Sequence, residues 1–94
     1  MGKVLIIEDQ EEIVTLLELH LKDLDNEVSS ASDGALGFEL ASKGNYDLIV
    51  LDLMLPKMSG IDVCKELRRK NINTPILMLT AKSEVKFTKS NLLY

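Results

Sequence analysis

The chain has 94 residues, 46% of them apolar and 28% charged, with two Pro and five Gly. That size and balance describe one small globular domain with a thin core and exclude a disordered chain. The net charge of −4 argues against a nucleic-acid footprint, and no apolar run approaches membrane-spanning length.

Lys3 to Glu8 (KVLIIE) is a short β-branched run and reads as a fully buried strand. Residues 1 to 7 are too short for a signal peptide, and Glu8-Asp9 follows at once, so a soluble cytoplasmic protein is expected. From Glu11 to Leu24, apolar residues at 13, 16, 17, 21 and 24 predict a helix. His20 sits within that stripe, which favours a partly buried packing role over a phosphodonor. Glu27 to Ala31 is a weaker strand. Asp33-Gly34 reads as a helix start with Asp33 as N-cap, and Gly44 as the C′ glycine that ends the helix. Gly37 inside that helix costs ~1 kcal/mol relative to Ala.

Asp47 to Asp52 (DLIVLD) is another buried strand, ending its apolar run on a carboxylate that is expensive to bury alone. Gly60 to Arg69 places Val63, Cys64 and Leu67 on one helical face. Cys64 is the single cysteine, so no internal disulfide forms and a packing role is expected. Lys65, Arg68, Arg69 and Lys70 make the only basic run, read as the solvated end of this helix, where cations suit the helix dipole. Pro75 to Thr80 (PILMLT) is a fourth strand, with Pro at its first position.

Strands without internal alternation, separated by helices, mark a parallel sheet covered on both faces. The fold class is therefore α/β, a doubly wound parallel sheet. Right-handed crossovers place the first strand beside the third and the third beside the fourth. Functional groups of such sheets gather beyond the carboxyl ends of the strands. Three ends here carry polar residues: Glu8-Asp9, Asp52 and Thr80. Asp52 thus surfaces into an acidic pocket with Glu8 and Asp9, and a hard divalent cation such as Mg²⁺ is the natural neutraliser.

IIEDQ, LIVLDLMLPKMSG and PILMLTAK resemble the receiver domain of two-component response regulators, most closely the branch that usually carries a winged-helix DNA-binding domain. The resemblance spans residues 3–82. It implies a flavodoxin-like strand order of 2-1-3-4-5. It also implies that Asp52 is the phosphoacceptor, with a sensor histidine kinase as donor. Glu8, Asp9, Asp52 and the backbone carbonyl of Met54 would hold Mg²⁺, and Thr80 would be the switch hydroxyl. Pro56 and Gly60 would shape the loop below the site. Such a domain is not an enzyme in the usual sense, and it touches neither nucleic acid nor membrane directly. The phosphatase alternative of the haloacid dehalogenase type needs an Asp two residues after the nucleophile, where Met54 stands.

The resemblance breaks after the fourth strand. A fourth helix, a fifth strand bearing a Lys, and a fifth helix are missing or replaced by AKSEVKFTKSNLLY. The expected division is therefore a receiver-like domain over 1–82 and an atypical tail over 83–94. Lys89 is a weak candidate for the family lysine, and Lys82 and Lys86 are further weak candidates for a phosphate-facing cation. A parallel crossover needs a dozen or more residues, so the tail is expected to pair antiparallel with its own fourth strand, to form a short helix, or to join another chain's sheet. An open apolar edge predicts a homodimer or larger assembly through the fourth strand and the tail. The rival to a working phosphoacceptor is a receiver-derived self-association module that cannot switch.

Overall fold

The structure, a computed structural model, describes residues 2–79 and the backbone of the strand at 85–88. The elements run β1 (Lys3–Ile7), α1 (Glu11–Asp23), β2 (Glu27–Ala31), α2 (Gly34–Lys43), β3 (Leu48–Asp52), α3 (Gly60–Arg69), β4 (Ile76–Leu79) and β5 (Val85–Thr88). They form one sheet in the order β2-β1-β3-β4-β5. The first four strands are parallel, as the crossover argument requires, with Ile7 beside Leu51 and Asp52 beside Leu79.

Both sheet faces are buried, which is why the strand sequences do not alternate. Leu5, Ile7, Ile49, Leu51, Ile76 and Met78 pack with Val63, Cys64 and Leu67 of α3 and Ala41 of α2. On the other face Val4, Ile6 and Val50 meet Val14, Leu17 and Leu21 of α1. The inward stripe of α1 is therefore 14, 17 and 21. Leu16 and Leu24, which the period placed inward, are exposed, and so is His20. A thirteen-residue helix over three strands buries only a narrow stripe, and His20 falls outside it.

Two other readings are corrected. Arg68 is not solvated. It is 3% exposed, and its Nη1 donates to the carbonyls of Ile72 and Thr74 at 2.8 and 2.9 Å, tying down the chain between α3 and β4. Gly44 is not a left-handed C′ residue, since its φ is −94°. A Cβ there would lie 2.5 Å from the Tyr46 ring, so space is what demands glycine. Gly37 has a similar reason: a Cβ would stand 2.6 Å from the Ile7 side chain, so the missing methyl lets α2 settle onto β1.

The tail takes the first of its three expected routes. β5 pairs antiparallel with β4, Leu79 opposite Val85 and Ile76 opposite Thr88. Only residues 80–84 separate the two strands, enough for a hairpin and too few for a parallel crossover. Among the described residues no helix is long and apolar enough to cross a membrane.

Candidate metal and phosphoacceptor site

The site grows from the ends of two adjacent strands. β1 extends into Glu8, whose N–H donates to Ala31 O at 3.0 Å, and Asp9 follows at the start of the loop to α1. β3 ends at Asp52, and the next N–H, Leu53, donates to Leu79 O at 3.0 Å. Because β1 and β3 lie side by side in parallel, their carboxylates converge. Glu8, Asp9 and Asp52 each place one oxygen within 4.8 Å of the others. They share a cleft of about 350 Å³ with Gln10, Ile13, Met54 and Leu79.

Burial differs across the cluster. Glu8 is 4% exposed, Asp52 half-buried and Asp9 exposed. Burial pushes the Glu8 carboxyl above its ordinary pKa, against the Gln10 N–H that donates to Oε2 at 3.0 Å. The charges of Asp52 and Asp9 push it further up. Among the described residues, no ion pair involves any of the three. Three hard oxygen donors with unbalanced negative charge fit Mg²⁺ by ligand type and number. Met54 lines the cleft, and its N–H donates to Asp52 Oδ1 at 3.3 Å.

The loop after β3 is held from two sides. A Cβ on Gly60 would lie 2.2 Å from Asp52 O, and one on Gly34 would lie 1.8 Å from Met58 O. Gly60 N–H donates to Leu53 O at 2.9 Å, and Gly34 N–H to Pro56 O at 3.2 Å. The resemblance implied Pro56 and Gly60 as shapers of this loop. Gly34 was legible only as a helix start, because nothing in a sequence says which backbone will lie against it.

A family model described as the response regulator receiver domain matches residues 4–93. This chain belongs to the response regulator receiver family. It is 51% identical over 82 residues to the alkaline phosphatase synthesis transcriptional regulatory protein PhoP of Bacillus subtilis, covering 87% of this chain and 34% of PhoP. The chain thus spans about a third of that relative's length. Among solved structures, the receiver domain of the Francisella response regulator 1452 superposes with a TM-score of 0.84 at 34% identity, covering 89% of this chain and 69% of that one. The receiver domain of the sensor histidine kinase PA1611 from Pseudomonas aeruginosa, solved with a magnesium ion in its active-site cleft, gives 0.80 at 30% identity, covering 85% and 67%.

Receiver domains are signalling modules, and the strand order β2-β1-β3-β4 of this one agrees with the order that the resemblance implied. The structure brings Glu8, Asp9, Asp52 and Met54 together. Thr80, Lys82 and Lys89 lie outside the described residues, as does the side chain of Lys86. β5 starts beside Leu79, next to the site, and runs away from it, whereas the resemblance implied a parallel fifth strand bearing the lysine.

Proposed function

We propose that this receiver domain accepts a phosphoryl group on Asp52 in a Mg²⁺-dependent reaction, with a phosphohistidine of a sensor histidine kinase as donor. The observation that carries the reading is the convergence of Glu8, Asp9 and Asp52 within 4.8 Å at adjacent strand ends. In this reading Glu8, Asp9, Asp52 and the Met54 carbonyl hold the ion. Bound there, Mg²⁺ would neutralise charge on the transferring phosphoryl oxygens. An Asp52 carboxylate oxygen attacks phosphorus, the P–N bond breaks, and the imidazole leaves as its neutral form after taking up a proton. The Met54 N–H on Asp52 Oδ1 fixes the rotation of the attacking carboxylate. Thr80 is assigned the hydroxyl that donates to a phosphoryl oxygen after transfer. Lys89, outside the described residues, is kept as a weak candidate for the cation.

Incubation with a small acyl phosphate and Mg²⁺, read by intact mass, tests the reading. The parent gains one phosphoryl group, slowly, and Asp52→Asn gains none. Labelling that persists in Asp52→Asn would remove Asp52 from the role.

A second reading is a self-associating module that does not switch. It is favoured by β5 standing as an edge strand, with one row of backbone groups open to another chain. On this reading the protein sediments as a dimer or larger assembly at micromolar concentration, whether or not Asp52 accepts phosphate. A species of 10.5 kDa would exclude it.

A further inference from the structure

The two faces of the sheet are covered unequally. On one face α2 and α3 bury Ala41, Val63, Cys64 and Leu67 completely against the strands. On the other face α1 stands alone, and none of its thirteen residues is fully buried. α1 packs over β2, so the half of that face made by β3 and β4 carries no helix among the described residues.

What lies open there is apolar. Leu48 of β3 and Leu77 and Leu79 of β4 take the positions that alternate toward the α1 side, and all three are half-buried. Along the adjoining flank of α1, Ile13, Leu17 and Leu24 recur at helical spacing, Leu24 with 70% of its surface in solvent. Ile13 and Leu79 line the same cleft, which identifies this flank as the one turned toward β4. Floor and wall make a groove that runs from the acidic cleft at one edge of the sheet to Leu24 and Leu48 at the other. A contiguous apolar groove rarely stays open on a monomeric domain.

The chain itself leaves β5 beside this groove. β5 ends at Thr88 opposite Ile76, one strand outside β4 and at the edge of the sheet away from the acidic cluster. Lys89-Ser90-Asn91-Leu92-Leu93-Tyr94 follows and lies outside the described residues. Its first half is polar, with Ser and Asn suited to a turn, and its second half is large and apolar. To enter the groove this segment must recross one strand spacing of about 4.8 Å and rise about 10 Å above the sheet. Its extended reach is about 20 Å, so a turn over 89–91 can set 92–94 above Leu77 within one chain.

We infer that residues 92–94 act as a strap: Leu92, Leu93 and Tyr94 fill the groove between α1 and β4 and close the face that α1 leaves open. The end of the groove at Ile13 and Leu79 is also the apolar wall of the acidic cleft, so strap and cleft share a wall. The inference does not depend on what the cleft binds.

Isotope-filtered NOE spectra of the whole chain test it. We expect contacts from the Leu92 and Leu93 methyls or the Tyr94 ring to the methyls of Leu17, Leu48 and Leu77, within one molecule. An absence of such contacts overturns the inference. So do contacts found only between labelled and unlabelled molecules, which would give the groove to a second copy. Leu92→Asp combined with Leu93→Asp should raise the binding of a dye for apolar surface severalfold and shift the Leu48 and Leu77 methyl signals. Leu36→Asp, at an exposed leucine on the opposite face, should do neither. A double variant with unchanged dye binding and methyl signals overturns the strap. Where that variant loses its helical circular dichroism, the contacts in the parent decide alone.

Discussion

Replacing Asp52 by Asn should make the metal-free protein more stable and the metal-saturated protein relatively less so. The three carboxylates place oxygens within 4.8 Å. At that separation two ionised groups repel by about 0.9 kcal/mol in the dielectric of water and about 3.5 kcal/mol at an effective ε of 20. The cleft is open and Asp9 is exposed, but Glu8 is 4% exposed, so the lower figure is a floor. Asn removes two of the three repulsive pairs, about 2 kcal/mol on that figure. Part of this is offset, by roughly 0.5–1 kcal/mol, because the Met54 N–H now meets a neutral acceptor. A net gain of about 1 kcal/mol remains, a rise in melting temperature of about 4–8 °C for a domain of this size.

If the cluster binds Mg²⁺ as proposed, the ion should reverse the order. At about 100 times Kd it stabilises the parent by ~2.7 kcal/mol, and the variant, short of one carboxylate, gains much less. Thermal melts followed by circular dichroism, at pH 7 and low salt, in chelator and then in saturating Mg²⁺, give all four values. An Asp52→Asn protein that melts below the parent in chelator would refute the repulsion argument. Equal responses of the two proteins to Mg²⁺ would refute the shared site.

Two further outcomes follow from the same geometry. Glu8 has its folded pKa raised above 4.5, so the folded state holds that proton more tightly than the unfolded chain. Its contribution is fully present below the unfolded value and is lost as pH rises through the folded one; the metal-free parent should therefore lose stability across that window, and Glu8→Gln should flatten the curve, with an identical curve counting against the burial argument. Gly37→Ala should gain up to ~1 kcal/mol of helix propensity but lose about 1–3 kcal/mol to overpacking against Ile7. Adding Ile7→Val should recover part of the loss, and additive effects in chemical denaturation would mean that the two positions do not touch.

Much of this architecture is written in the local pattern. The runs KVLII and LIVLD announce strands covered on both faces, and Asp33 announces the cap it makes to Leu36 N–H. The meeting of Glu8 with Asp52 follows from parallel order alone, because strand ends on one edge must be neighbours. Features made by long-range contact were not legible. Arg68 sits in a basic run that looks solvated, and only the returning carbonyls of Ile72 and Thr74 reveal why it is buried. Leu16 and Leu24 fit a helix period yet face outward at 57% and 70% exposure, since periodicity does not say how wide a stripe the sheet will accept. Lys57 carries no sequence sign of its left-handed backbone, with φ of 68°. The direction of β5 is one of three routes open to the tail, and its pairing with β4 is what decides it.

The side-by-side pairing of β1 and β3 also governs when the acidic pocket can exist during folding. Glu8 and Asp52 belong to strands whose partners are far apart in sequence, as the bond from Lys3 N–H to Asp47 Oδ2 across 44 positions shows. Non-local parallel pairing forms slowly, because the entropy of closing the intervening chain is lost before contacts compensate for it. Neither the helices nor β1 alone can assemble the three carboxylates. If the pocket holds Mg²⁺ as proposed, its occupancy would therefore report that β1 and β3 have paired.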